Sequence, residues 1–378
     1  MSLSDVRPPG RDSRAAAAIG PAAAVMGPVA AAIDPAASVI GPAAAINPAP
    51  AINPALAIGP VAAAIGPAAA IDPAPAIDPV AATFDLLGDR LTLAILRDAF
   101  LHEARRFNQW IERTGAPPAM LTSRLNALVD AGVLRRVPQP NAVDRHEYLL
   151  TDLGLATWEI LICLWGWHRE WSPSGALQPE LVHTECGHRG PTVVMCRGCD
   201  ATVTPHETAV ELRPDVVWAL GSSGRRRSTR APEAALSGRD MFTEVMVAIG
   251  DRWSAAVTGL ALAGIRRFSD FRANLDISPT TLTDRLNRLC SAQILRKSGG
   301  GREYRLTPRG RALFGVYAFL LSWSAVAYPG ARPGVLIRHR TCGQALVPAL
   351  RCRGCDARLD RAAVVFEPLP EQLRDRLG

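Results

Sequence analysis

Leu121-Thr122-Ser123-Arg124-Leu125-Asn126 returns later in the chain as Leu282-Thr283-Asp284-Arg285-Leu286-Asn287. In both copies the leucines, continued by Leu128 and Val129 or by Leu289, fall on one stripe of a helix and leave a polar, partly basic face opposite. Working outward, Gly88-Asp89-Arg90 recurs as Gly250-Asp251-Arg252 and Arg105-Arg106-Phe107 as Arg266-Arg267-Phe268. Tyr148-Leu149-Leu150-Thr151 recurs as Tyr304-Arg305-Leu306-Thr307, Trp167 as Trp323, and Cys196-Arg197-Gly198-Cys199 as Cys352-Arg353-Gly354-Cys355. The order is kept and the offset settles at 156 residues, so the chain carries one unit twice.

Within each unit, Phe107 and Ile111, or Phe268, Phe271 and Leu275, predict a short helix before the leucine helix. A turn separates them, at Gly115-Ala116-Pro117 and at Asp276-Ile277-Ser278. Ser278 before Pro279 is a strong start signal, because the hydroxyl accepts a helix-end amide and proline stands where no amide is needed. The first unit has Ala116-Pro117-Pro118 there and no capping hydroxyl. Two short strands follow, Val133-Leu134-Arg135 to His146-Glu147-Tyr148-Leu149 and Ile294-Leu295-Arg296 to Arg302-Glu303-Tyr304-Arg305, joined as wings by Pro138 to Asp144 and Ser298 to Gly301. Thr151-Asp152-Leu153-Gly154 and Thr307-Pro308-Arg309-Gly310 are then expected to open one long apolar helix reaching Trp167 or Trp323.

The series Asp85-Leu86-Leu87-Gly88-Asp89-Arg90, Arg105-Arg106-Phe107, Leu121 to Leu125 and Glu147-Tyr148-Leu149-Leu150-Thr151-Asp152-Leu153-Gly154 resembles the HxlR-type winged-helix regulators of bacteria, and the second unit repeats it. The resemblance covers about residues 79–171 and 241–326. It implies a helix in the major groove, a wing on the backbone, double-stranded DNA as partner, and pairing of two such domains. Thr122, Ser123, Arg124, Asn126 and Arg145, with Thr283, Arg285, Asn287, Arg288 and Arg302, are the candidate DNA contacts; guanidinium forks and amides can reach base edges or phosphates. The competing role for Arg124 and Arg285 is to brace the fold through local ion pairs. Family members usually self-associate, so two copies in one chain could form an internal pseudo-dimer on an imperfect palindrome. The sensing cysteine that many members carry before the first helix is replaced here by Asp78, and Asp240 stands at the second position. Cys163 and Cys290 sit in apolar settings that suit packing better than reactivity.

Six of the eight cysteines lie in two clusters. His183 and Cys186 lead after nine residues to Cys196 and Cys199; His339 and Cys342 lead after nine to Cys352 and Cys355. Three thiolates and one imidazole satisfy tetrahedral zinc. The spacing predicts two structural Zn²⁺ sites, each closed within its own unit by two knuckles on a short apolar hairpin. His188 is a competitor for the place of His183, whereas Leu346 stands in the corresponding neighbourhood of the second unit. Paired redox Cys-x-x-Cys sites would leave both histidines without a role.

The expected fold is therefore mainly α with small β. A disordered Ala/Pro/Ile-rich tail (1–78) precedes a winged helix-turn-helix domain (79–175), a zinc-ribbon-like β module (179–214), a linker (215–239), a second winged domain (240–330) and a second zinc module (335–370). Proline interrupts the apolar runs of the tail every few residues, against a membrane span or a signal peptide there. Reduced thiols point to the cytoplasm, and a net charge of +7 permits a polyanionic partner. No Gly-rich phosphate loop, nucleophile elbow or open metal site suggests an enzyme. The leading function is sequence-specific DNA binding; the rival is a protein-interaction platform that has lost it. Nothing in the sequence locates an effector pocket.

Overall fold

A computed structural model describes residues 78–138, 146–213, 241–275, 277–331 and 333–368. The expected tail up to residue 77, the linker at 215–239, Arg145 and Asp240 lie outside the described residues.

In the first repeat, α1 (Pro79–Leu87) and α2 (Arg90–Leu101) start on aspartates: Asp78 accepts from the Val80 amide and Asp89 from the Thr92 amide. Helix α3 (Phe107–Thr114) ends at Gly115, whose φ of 64° is left-handed and suits glycine. Helix α4 (Pro118–Asp130) carries the leucine stripe, with Leu121, Leu125 and Leu128 buried, and has no side-chain cap, as Ala116-Pro117-Pro118 foretold. Strands β1 (Leu134–Pro138) and β2 (His146–Leu150) form an antiparallel pair. Then come α5 (Asp152–Leu155) and α6 (Trp158–Trp171).

The second repeat runs α7 (Met246–Ile249), α8 (Arg252–Leu262), α9 (Phe268–Asn274), α10 (Pro279–Ser291), β6 (Leu295–Ser298), β7 (Glu303–Leu306), α11 (Pro308–Arg311) and α12 (Phe314–Ala327). Here Ser278 does cap α10, accepting from the Thr281 amide at 3.1 Å.

The single long helix expected after each hairpin is two helices. Thr151 and Thr307 accept the amides of Gly154 and Gly310, fixing a one-turn helix against the preceding strand. A Cβ on Gly154 would stand 2.2 Å from the Val133 carbonyl oxygen, and one on Gly310 2.1 Å from that of Ile294. Only glycine allows that approach. The stretch 308–327 is long and apolar enough to cross a membrane by composition, but 67% of its most apolar window is buried inside the protein, as befits a core helix.

Helices α6 and α12 pack on each other across the repeats, and α1 packs on α12. The Trp167 indole donates to the Arg309 carbonyl at 3.0 Å and the Trp323 indole to the Leu153 carbonyl at 3.0 Å. Donors and acceptors are both 156 residues apart, so the two bonds are images of each other under a pseudo-twofold relation. One continuous buried core joins the repeats, containing Leu125 and Trp165 together with Leu286 and Trp323.

The six remaining strands are β3 (Glu180–His183), β4 (Val193–Cys196), β5 (Thr208–Leu212), β8 (Val335–His339), β9 (Pro348–Arg351) and β10 (Val364–Glu367). Each pairs antiparallel with a strand of the other repeat: β3 with β10, β5 with β8 and β4 with β9. In the last pair Val194 faces Leu350, residues at the same place in the two repeats, so the pseudo-twofold passes through that pair. The hairpin expected within each zinc module is thus replaced by strands exchanged between modules.

Candidate metal centres and nucleic-acid interface

The exchange of strands re-sorts the metal ligands. His183 and Cys186 converge with Cys352 and Cys355, and Cys196 and Cys199 with His339 and Cys342, the ligand atoms of each group lying within 4.8 Å of one another. All eight candidate ligands fall in these two groups, but the expected grouping within each repeat is corrected: each group takes one knuckle from each repeat. The cause is local. Residues 187–195 include the start of extended β4, which carries Cys196 and Cys199 away from His183 and Cys186 toward the other repeat.

All four knuckles have the same build. The amides of Gly187, Asp200, Gly343 and Asp356 reach back to the carbonyls of His183, Cys196, His339 and Cys352 at 2.8, 2.9, 2.8 and 3.1 Å. These four residues have φ of 70°, 55°, 69° and 61°, the left-handed region that glycine and aspartate tolerate best. His188 is not a ligand. Its carbonyl accepts from the His183 amide at 2.9 Å, and its ring occupies the space above Gly354, where a Cβ would come within 2.7 Å.

The donor sets fit zinc. His183 Nδ1 lies 3.2 Å from Cys186 Sγ and 3.4 Å from Cys355 Sγ, and Cys186 Sγ lies 3.6 Å from Cys352 Sγ. In the other centre His339 Nδ1 lies 3.2 Å from Cys199 Sγ and 3.5 Å from Cys342 Sγ. Tetrahedral bonds of about 2.3 Å to sulfur and 2.0 Å to nitrogen require edges of roughly 3.5–3.8 Å, so a small expansion admits the ion. His183 and His339 are buried at 3% and 0% exposure, and all eight cysteines are free thiols. A bound zinc would supply four-coordinate cross-linking, with no ligand place left over for chemistry.

The centres differ in exposure. Cys186 and Cys355 are exposed, whereas their counterparts Cys342 and Cys199 in the second centre are half-buried, and Cys196 there packs with Val203, Phe314 and Ala318. Beside it, Arg197 donates to the Pro348 carbonyl at 3.2 Å and to Glu159 at 3.2 Å. Burial pushes the Glu159 carboxyl up to about 7 despite that guanidinium. Cys163 lies against Gly315, whose Cβ would come 3.1 Å from its sulfur, and burial raises its thiol well above the usual range. Burial also raises Cys290. Both sit as the apolar packing residues expected.

On α4, Thr122 and Ser123 are exposed, and on α10 Thr283, Asn287 and Arg288 are exposed. Arg124 and Arg285 make the local ion pairs. Arg124 Nε lies 2.8 Å from Asp89 and Arg285 Nε 3.0 Å from Asp251, and Arg285 also contacts Asp284. The sequence contained this signal in the repeated Gly-Asp-Arg: its aspartate both caps α2 or α8 and holds the arginine of the leucine helix. Asn126 is half-buried and accepts from Arg136, whose guanidinium also covers the Tyr148 ring at 5.5 Å. Arg288 pairs with Asp284 at 3.0 Å along the helix. Arg302 is exposed at the β6–β7 turn, where Gly299, Gly300 and Gly301 all have positive φ.

The model of the HxlR-like helix-turn-helix family matches residues 86–176 and again 248–330. The uncharacterized HTH-type transcriptional regulator Rv3095 of Mycobacterium tuberculosis is 35% identical over 145 residues, 91% of its own length and 38% of this chain. Its Mycobacterium bovis counterpart Mb3122 matches equally, at 35% over 145 residues, 91% of that protein and 38% of this chain. A solved structure from Pseudomonas aeruginosa, PA1374, assigned as a transcription factor, shares 26% identity and covers 34% of this chain and 98% of its own. Its TM-score of 0.29 is too low to bear on the arrangement of the whole chain. Each of these relatives has the length of one repeat.

Proposed function

Because the chain belongs to the HxlR-like helix-turn-helix family, we propose that it is a cytoplasmic, non-enzymatic transcriptional regulator that binds double-stranded DNA as an internal pseudo-dimer. The two repeats take the place of two subunits. The α3–turn–α4 and α9–turn–α10 segments act as winged helix-turn-helix reading heads, with α4 and α10 in successive major grooves and the β1–β2 and β6–β7 hairpins as wings on the backbone. The observation that carries this reading is the pseudo-twofold itself: the mirrored Trp167 and Trp323 bonds and the self-matched register of β4 with β9. Relatives of single-repeat length support it, since a symmetric pair of such proteins would need the same contacts between chains.

In this reading Thr122, Ser123, Thr283, Asn287 and Arg288 face the groove, and Arg302, with Arg145 at the other wing, meets phosphate. Arg124, Asn126 and Arg285 hold the reading helices instead of touching bases. Zinc in the two exchanged centres ties the repeats together and sets the separation of the heads. Selection from a random duplex library by the zinc-loaded chain tests this, run at low and at physiological salt because phosphate attraction alone imitates binding at low salt. The expected product is one motif with two unequal half-sites about 10 bp apart, centre to centre. Binding without sequence preference that disappears with salt would overturn the reading and favour the interaction platform.

A further inference from the structure

The pseudo-twofold allows each place in the protein to be compared with its own counterpart, and at one place the halves are unlike. Helices α1, α8 and α12 and the β5–β8 sheet line a recess that is partly open to solvent. In the opposite half larger side chains stand at the corresponding places. Val80 at the recess corresponds to Phe242, Gly259 to Arg97, Val210 to Phe366 and Leu321 to Trp165. These larger counterparts meet one another: the Arg97 guanidinium lies 5.8 Å from the centre of the Phe242 ring, and Trp165 packs edge-on against Phe366 at 5.4 Å. The two halves have thus diverged at this place, with larger side chains in one and a recess in the other.

The recess is apolar, floored by the Phe84 and Tyr317 rings, whose centres are 5.4 Å apart. The Tyr317 hydroxyl is already committed to the Ala248 and Ala255 carbonyls at 3.2 and 3.0 Å. Asp78 is different. It is only 2% exposed; Oδ1 accepts from the Val80 amide at 3.1 Å, the Gly334 amide also stands near the carboxylate, and Oδ2 is buried and makes no full hydrogen bond. A buried acceptor without a full partner is costly, so a donor arriving in the recess gains what the fold forgoes.

We propose that this recess binds a small, neutral aromatic molecule of one or two fused rings whose single hydroxyl donates to Asp78. The rings would lie among Phe84, Tyr317 and Leu321, in the kind of largely apolar pocket with one convergent polar group that small-molecule sites favour. Arg252 also lines the recess, which disfavours a cationic head.

Isothermal titration of the full-length, zinc-loaded chain with 2-naphthol and with 2-methoxynaphthalene tests the site without reference to DNA, so it fails or succeeds independently of the regulator reading. One 2-naphthol per chain is expected, with the ether about tenfold weaker for want of the donor. Asp78→Asn keeps the cap oxygen on α1 but loses the free acceptor, and is expected to erase the preference for the hydroxyl. The double variant Val210→Phe/Leu321→Trp recreates a ring pair that already packs in the other half, and is expected to abolish binding while circular dichroism and zinc content stay unchanged. No binding of 2-naphthol, two equivalent sites per chain, or undiminished binding by a folded double variant would overturn the proposal.

Discussion

Exchanged ligands make a prediction about which cysteine pairs share a metal. In the structure Cys186 belongs with Cys355, a residue of the other repeat, and not with Cys199 of its own. Zinc at a structural Cys₃His centre contributes an apparent binding free energy of about 10–16 kcal/mol at neutral pH, so losing one thiolate leaves a centre that cannot retain the ion through gel filtration against a mild chelator. The single variants Cys186→Ser, Cys199→Ser and Cys355→Ser should each hold one zinc. The pairs decide the grouping. Cys186→Ser/Cys355→Ser should still hold one zinc, because both changes fall on one centre, whereas Cys186→Ser/Cys199→Ser should hold none. Zinc counted by mass spectrometry after chelator exchange reads this directly, and cobalt substitution reports the surviving thiolate set by its charge-transfer band. The reverse pattern, with the cross-repeat pair losing both ions and the same-repeat pair keeping one, would refute the exchanged arrangement.

Exposed Cys186 and Cys355 should make their centre release zinc to chelator or peroxide first, giving a two-phase loss in a zinc-release assay; a single phase would contradict the difference in burial. Arg124→Ala and Arg285→Ala should lower thermal stability by removing partly buried pairs, at about 1 kcal/mol each in denaturant titration, and leave the selected DNA motif unchanged. Arg288→Ala should weaken DNA binding without that loss of stability. Ser278→Ala should cost about 1 kcal/mol by uncapping α10, an effect without a counterpart in α4, which has no cap. Glu159, raised by burial from 4.5 to about 7, binds its proton more readily when folded. Its contribution is therefore full below about pH 4.5 and is lost as pH rises through 7, so Glu159→Gln should flatten stability against pH over that window.

The repeat, the leucine helices, the cap on α10 and all eight metal ligands were legible because each rests on spacing within a few residues. Periodicity did not reveal the break between α5 and α6, since Gly154 and Gly310 are set by how near the Val133 and Ile294 carbonyls come, a contact across the fold. The grouping of the ligands was illegible for a deeper reason. Each knuckle occurs twice with the same spacing, so local geometry is satisfied equally by a partner in the same repeat or in the other. Only the choice of β9 as the neighbour of β4 separates the two, and that is a long-range pairing between repeats that also meet through α6 and α12. Arg124 and Arg285 teach the same lesson: their residue type suits DNA, but Asp89 and Asp251 reach them first.

The pairing of Val194 with Leu350, each opposite its own counterpart, is the kind of self-matched contact that a twofold axis between two identical chains produces. Inside one polypeptide its formation is unimolecular. Diluting the protein does not pull the halves apart, and the sheet closes at a rate independent of how many copies the cell holds. A regulator built this way would keep both reading heads assembled at copy numbers where a separable pair would already have come apart.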